Sequence, residues 1–383
     1  SGLFIGARMG RPEKAKMRKM TGSPHSLFPV GEEGGRLRSF NAALEKGKVT
    51  ADFPVRICAS CDNHHTPLSV CERCDKPTVR YKIDVQSQEP VPVLQASDDV
   101  KKYKDFKRWQ VPLRDLWDAS LKRMGTRVYP DLVKGVRGTI CVDHTPEHLL
   151  KGILRAKHEV HVNKDGTVRY DASEVTLTHF KPKEIGTSVD RLRELGYTYD
   201  VYGQELTSDG QVLELFAQDL VLPACRVSPE PGSDLVLLNA ARFVDDELRF
   251  LYGLDPFYKA STPFDLTGHL VVGLAPHTSA GMVGRIIGFS QTQGMLAHPL
   301  YHAAMRRDCD GDESCFFLLM DAFLNFSQKY LGTSRGSTMD APLVLTSLLN
   351  PAEVDDMAFN VDIVDQYPLE FYDAAQDFKK PGD

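Results

Sequence analysis

The sequence predicts an α+β protein with a zinc ribbon, a mixed α and β middle and a small curved β-barrel. Three observations carry this. Two CxxC pairs lie nine residues apart near the N-terminal end, helical and strand periodicities follow one another over the middle with short connections, and after Asp265 glycines interleave with β-branched residues. No fixed-period repeat is visible.

The chain has 383 residues, 42% of them hydrophobic, with no window of eighteen consecutive apolar residues, so two or three soluble globular domains are expected and no membrane partner. Ser1-Gly2 reads as a cloning remnant ahead of a short strand at Leu3-Phe4-Ile5, and no signal peptide opens the chain, which looks like a fragment of something larger. A net charge of −6 excludes a simple basic nucleic-acid coat. The charge is uneven: residues 1–20 hold six Lys/Arg against Glu13 alone. There Pro12 suits the first position of a helix carrying Lys14, Lys16, Arg18 and Lys19, which either meets phosphates or is a solvated basic face.

Residues 27–35 supply strand and turn chemistry. Cys58-Ala59-Ser60-Cys61 and Cys71-Glu72-Arg73-Cys74 then present two thiolates per knuckle to one tetrahedral ion, a structural Zn²⁺ pattern; a redox dithiol needs only one such pair. His64 and His65 lie in the intervening loop and compete as ligands, although four sulfurs already close the site. Cys141, Cys225, Cys309 and Cys315 have no paired spacing and fit buried thiols in a reducing, cytoplasmic setting.

Helical spacing of Leu113, Leu116, Trp117, Leu121 and Met124 predicts a helix over residues 112–124, ended by Gly125. A second helix is expected with Thr145 as N-cap and Pro146 at its first position, burying Leu149, Leu150, Ile153 and Leu154 and exposing a basic side. Residues 158–171 read as a hairpin around Asn163-Lys164-Asp165-Gly166. Residues 188–195 read as a short helix, 211–223 as strand-like and 241–252 as helix. Strands are expected over 269–275 and 281–289, a helix over 321–331, a strand over 343–345, and an acidic solvated tail from Pro351.

Met305-Arg306-Arg307-Asp308-Cys309-Asp310-Gly311-Asp312-Glu313 precedes the apolar run of residues 315–320. In extended chain Asp308, Asp310 and Asp312 project to one face, and three such close carboxylates require cations among them. Hard oxygen ligands favour Mg²⁺. An EF-hand fails, because from Asp308 the glycine falls fourth and Leu319 twelfth. On the string alone, Mg²⁺-dependent phosphoryl chemistry and a solvated acidic turn both stay open.

The strings at residues 6–16, 27–35, 134–138, 165–167, 178–180, 275–280, 306–313, 324–327 and 339–346 together resemble the large subunit of archaeal family D DNA polymerase, in order and over nearly the whole chain. The resemblance implies a double-psi β-barrel catalytic core akin to multisubunit RNA polymerases. It implies residues 1–50 as a barrel strand with a basic active-site loop, 51–85 as the zinc ribbon and 86–260 as a mixed α/β clamp-like region. Residues 261–350 would be the barrel core with its metal loop and 351–383 an acidic C-terminal segment.

The family's metal-binding aspartates fall on Asp310 and Asp312, with Asp308 as a third acid. Arg8, Arg11, Lys14, Lys134, Arg137, His277, His302, Arg306, Arg307 and Arg335 are assigned to DNA or substrate. The implied activity is Mg²⁺-dependent nucleotidyl transfer from a dNTP to a primer 3′ end, with primer–template DNA, a small exonuclease subunit and a sliding clamp as partners. The alternatives are an inactive DNA- or partner-binding core and an RNA polymerase-like nucleotidyltransferase. Two departures stand out. The family pattern before Cys-Asp-Gly-Asp is Ala-Lys-Arg-Arg-Asn, whereas this chain has Ala304-Met305-Arg306-Arg307-Asp308, closer to the three-aspartate motif of RNA polymerases and bearing on metal affinity and sugar selectivity. Family members also carry further cysteine pairs, and here one four-cysteine set occurs.

Overall fold

The computed structural model describes residues 14–97, 99, 101–226, 229–307, 311–339, 343–359 and 368–380, the side chains at 357 and 359 excepted. Its first element is a strand, β1 (Ala15–Met17), where a basic helix was expected. The chain then forms α1 (Phe40–Lys46), whose first turn is capped by the Ser39 hydroxyl accepting from Asn41 N–H, and β2 (Lys48–Phe53). The ribbon follows as β3 (Val55–Cys58), β4 (His64–Thr66), β5 (Val79–Asp84), β6 (Pro90–Pro92) and β7 (Tyr103–Lys104), a five-stranded sheet. β8 (Lys107–Pro112) returns antiparallel along β2, and α2 (Leu113–Met124) buries Leu113, Leu116, Trp117 and Leu121 as its spacing predicts, ending at Gly125 with φ +66°.

The next helix, α3 (Leu149–Lys157), starts later than Thr145-Pro146 suggested. His148 provides the cap, its Nδ1 accepting from Leu150 N–H at 3.2 Å. The side expected to be exposed and basic is buried. Arg155 lies wholly inside and Lys151 nearly so, held by Glu147, Glu247 and Asn325. Residues 163–167 make the expected turn, with Asn163 N–H on Thr167 O, and Gly166 takes φ +98° where a Cβ would stand 2.3 Å from Asn325 O. The flanks do not pair as a hairpin, because Val162 N–H bonds Pro24 O and the following strand, β9 (Tyr170–Thr176), pairs elsewhere.

β10 (His179–Phe180), α4 (Pro182–Ile185) and α5 (Val189–Glu194) lead to β11 (Leu213–Glu214) and β12 (Asp219–Pro223), two pieces of the single strand expected. α6 (Ser233–Glu247), continued by a wider turn to Tyr252, begins eight residues before the expected start, since Gly232 and the Ser233 hydroxyl, bonded to Pro223 O, set its N-terminus. Then come β13 (Leu270–Leu274), β14 (Ala280–Ser290), β15 (Gly294–Ala297), α7 (Pro299–Ala304), β16 (Glu313–Leu318) and α8 (Leu319–Asn325). α8 starts two residues before the helix expected over 321–331 and ends six residues short of it, because Phe326 turns extended and Ser327 N–H bonds Asp165 O. β17 (Val344–Thr346) and α9 (Leu369–Gln376) complete the described elements, none of them a helix long and apolar enough to cross a membrane.

β9, β15, β12, β14, β13 and β16 form a closed six-stranded barrel, β16 pairing back onto β9 with Phe316 opposite Tyr170. The pairings β9–β15 and β12–β14 are parallel and the other four antiparallel. Its interior and the adjoining face of α6 make one apolar core containing Tyr170, Phe316, Ile286, Tyr301, Met305 and Phe243. A second core joins α1, β2, β8, α2 and α3 around Phe28, Phe40, Phe53 and Trp117.

Candidate active site and metal centre

Strand register brings separate stretches of chain to one end of the barrel. β16 begins at Glu313, opposite Ser173 of β9, and Glu174 N–H donates to the Asp312 carbonyl at 2.9 Å. On the other edge of β9, Ser173 N–H donates to Lys14 O and Lys14 N–H donates back to Ser173 Oγ at 3.0 Å. β13 runs antiparallel to β16 with Leu274 opposite Cys315, so the loop holding His277 leaves β13 at the end where the acidic loop enters β16. β17 starts there too, Val344 N–H bonding Ser279 O.

The described flanks of the acidic loop, Arg307 and residues 311–313, thus lie at the mouth of the barrel, where β16 begins. Asp312 Oδ2 lies 3.6 Å from Arg307 Nη1, and Glu313 Oε2 lies 3.2 Å from Lys14 Nζ. The second pair is solvent-exposed and contributes little stability. Two left-handed residues flank the loop, Arg306 at φ +64° and Gly311 at φ +92°. The glycine meets this without strain, whereas the arginine costs roughly 1–2 kcal/mol, which the surrounding contacts must hold. Asp308 and Asp310, and likewise Arg8 and Arg11, lie outside the described residues.

Behind the loop stands His302, fully buried on α7. Its Nε2–H donates to the Val175 carbonyl at 3.1 Å, its Nδ1 lies 3.6 Å from Glu174 Oε2, and burial pushes its imidazole down to about 4. A ring so enclosed is neutral and makes no direct contact with nucleic acid. Arg306 is exposed and Arg307 half-buried. Arg137 is exposed, 4.0 Å from Glu32, and Lys134 bridges Ser39 while its carbonyl accepts from His25 and Ser26 N–H, near the small core of Leu27, Val136 and Val162. Arg335 is exposed on the stretch after Tyr330.

Glu174, Ser173 and Asp171 were not anticipated as part of this site. Their segment looked like the second arm of a hairpin, and nothing local in Tyr170-Asp171-Ala172-Ser173-Glu174 announces that three other strands converge on it. Asp171 is joined to Arg18, Nη2 to Oδ1 at 2.7 Å. Burial raises its carboxyl above the usual range, against the pull of that arginine.

In the ribbon the four sulfurs of Cys58, Cys61, Cys71 and Cys74 all lie within 4.8 Å of one another. A tetrahedral zinc with bonds of ~2.3 Å spaces its sulfurs by about 3.8 Å, so the set fits that ion with small adjustments. Both knuckles are tight turns: Cys61 N–H bonds Cys58 O, Asp75 N–H bonds Cys71 O, and Asp62, Asn63 and Asp75 take positive φ. His64 pairs with Glu72 at 2.5 Å instead of joining the sulfurs, and His65 is likewise outside the cluster. The second knuckle rests on α2 through Arg73–Asp115 and Arg123–Asp75. Cys141, Cys225 and Cys315 are buried free thiols.

The profile of the family described as DNA polymerase II large subunit DP2, catalytic domain, matches residues 125–383, and that of the central domain of the same subunit matches residues 1–90. The chain is 46% identical to the DNA polymerase II large subunit of Archaeoglobus fulgidus over 98% of its own length and 33% of that protein. It is 46% identical to the subunit from Pyrococcus furiosus over 99% of its length and 30% of that protein, and 43% identical to that of Nanoarchaeum equitans over 97% and 33%. The chain therefore spans about a third of the length of these curated relatives.

Proposed function

Because this chain belongs to the family of DNA polymerase II large subunits, we propose that it carries the catalytic core of a template-directed DNA polymerase, with the acidic loop at the barrel mouth as its active site. The observation that supports this most is the position of Asp312: a carboxylate at the open end of a closed barrel, beside Arg307 and next to the Lys14–Glu313 pair. The reaction would join the primer 3′ oxygen to the α-phosphorus of a dNTP, with pyrophosphate leaving.

Asp312, with Asp310 and Asp308 two and four residues before it, offers the hard oxygen donors that Mg²⁺ takes. When bound there, Mg²⁺ would supply charge stabilisation for phosphoryl transfer. Lys14, Arg306 and Arg307 would neutralise triphosphate or DNA-backbone charge, while His277, on the loop that leaves β13 at the same end, would meet the DNA backbone together with Arg335, Lys134, Arg137, Arg8 and Arg11. Cys58, Cys61, Cys71 and Cys74 would hold Zn²⁺ and keep the ribbon folded against α2. Two parallel pairings among six closed strands are compatible with a double-psi barrel. In this reading residues 86–260 form the clamp-like part, the small subunit of the polymerase is the protein partner and the setting is cytoplasmic.

The test is primer extension by the assembled polymerase carrying Asp312→Asn. Extension should be abolished while zinc content and duplex affinity stay near wild type. Extension at the wild-type rate would overturn the assignment of the acidic loop.

A further inference from the structure

His64 and Glu72 belong to opposite halves of the ribbon and meet between them. His64 follows the first cysteine knuckle: its N–H donates to Cys61 O at 2.9 Å, and across the β3–β4 ladder it pairs with Cys58. Glu72 lies inside the second knuckle, directly after Cys71. His64 Nε2 and Glu72 Oε1 are 2.5 Å apart, and because a carboxylate only accepts, Nε2–H is the donor. The two side chains are 10% and 5% exposed, so water competes little for this bond.

The two knuckles are anchored differently. The second is fastened to α2 through Arg73–Asp115 and Arg123–Asp75, and it closes on itself with Asp75 N–H on Cys71 O and Cys71 N–H on Lys76 O. The first belongs to the β3–β4 hairpin, whose turn takes positive φ at Asp62 and Asn63. A four-sulfur site exists only while Cys58 and Cys61 are kept at the right distance from Cys71 and Cys74. The His64–Glu72 bond spans that gap without using any of the four sulfurs.

We propose that His64 and Glu72 are positioning residues for the ribbon's metal: their bond clamps the two knuckles at the spacing of the four sulfurs, which raises affinity for Zn²⁺ and slows its release. This rests on the reading of the cysteine set as a zinc site. Neither residue is a ligand, and each acts through the knuckle that carries it. For the ion to leave, the knuckles must part, and the clamp opposes that separation. A glutamine at 72 keeps an oxygen for Nε2–H while removing the charge, whereas leucine removes both. Phenylalanine at 64 keeps a ring of similar size without the donor. These changes separate the clamp from the field of the carboxylate.

The test loads the chain with Zn²⁺ and withdraws the ion with a chromophoric chelator, reading both Kd and release rate. It compares wild type, Glu72→Gln, Glu72→Leu, His64→Phe, the double variant Glu72→Leu/His64→Phe and Cys71→Ser, with circular dichroism of the loaded protein as the control for folding. Outer residues that orient metal ligands typically contribute 10–100-fold in affinity. Glu72→Leu and His64→Phe should each raise the Kd about tenfold and speed release, and Glu72→Gln should change the Kd less than threefold. The double variant should lose little more than either single one, because one bond is lost only once. Should Glu72→Leu fail to fold, His64→Phe carries the same expectation. A folded Glu72→Leu or His64→Phe variant within threefold of wild type would overturn the proposal, provided Cys71→Ser weakens binding. So would a Glu72→Gln loss equal to that of Glu72→Leu, or a double-variant loss equal to the product of the singles. If Cys71→Ser also leaves binding unchanged, the zinc-site reading itself is wrong.

Discussion

Arg155 and Glu147, both without exposed side-chain surface, are joined by two parallel hydrogen bonds, Nη1 to Oε2 at 2.8 Å and Nη2 to Oε1 at 2.7 Å. The same guanidinium donates to the carbonyls of His25 and Gly166, and Glu147 accepts from Leu27 N–H. α3 is thereby fastened to the N-terminal segment and to the turn beneath α8. Removing one member leaves a buried charge without its partner, so Glu147→Ala should cost about 3–5 kcal/mol. Urea unfolding measures this, and a loss below about 1 kcal/mol would contradict it.

A second prediction concerns pH. Asp321 is fully enclosed, and burial pushes its carboxyl from 3.8 up to about 7, despite hydrogen bonds from Val168 N–H and Asn325 Nδ2 and the nearby Arg155. The folded state therefore keeps a proton that the unfolded chain releases near pH 4. Its contribution is fully present below pH 4 and is lost as pH rises toward 7. Asp321→Asn removes this dependence. The unfolding free energy of wild type minus that of the variant should fall by a few kcal/mol between pH 4 and 7. A difference that is flat or rises over that window would refute the assignment.

Metal removal should act locally. Purified protein should contain one zinc, and Cys71→Ser should lower that content and unfold the ribbon, read as loss of amide protection in residues 55–84, while β9 to β16 keep theirs. Full zinc content in the variant would exclude this ligand set.

Nucleic-acid contact through Lys14 and Arg335 should depend on phosphates alone. Lys14→Ala and Arg335→Ala should each reduce the log–log salt slope of duplex binding by roughly 1, equally for unrelated sequences. An unchanged slope for either variant would remove that residue from the interface.

What was legible without the structure is whatever depends on neighbours in sequence. Cys58, Cys61, Cys71 and Cys74 are recognisable because each knuckle is a tight turn of four residues, and the fold brings the two together only across a short hairpin. The acidic loop is recognisable because close carboxylates and a glycine followed by a buried strand form a local pattern, and α2 because its stripe is local too. Tertiary structure decided the rest. The helical spacing of α3 was visible, but that Lys151 and Arg155 point inward depends on Glu147, Glu247 and Asn325, from three separate segments. His302 looked available for DNA and is enclosed, since α7 is covered by β9. Glu174 carried no sign of its place, because strand pairing is nonlocal: only closure of β16 onto β9 puts that glutamate behind Asp312. The chemistry of the ligands is written in the order of residues, whereas the barrel end that gathers Lys14, Ser173, Glu174 and Asp312 exists only once β16 has closed onto β9.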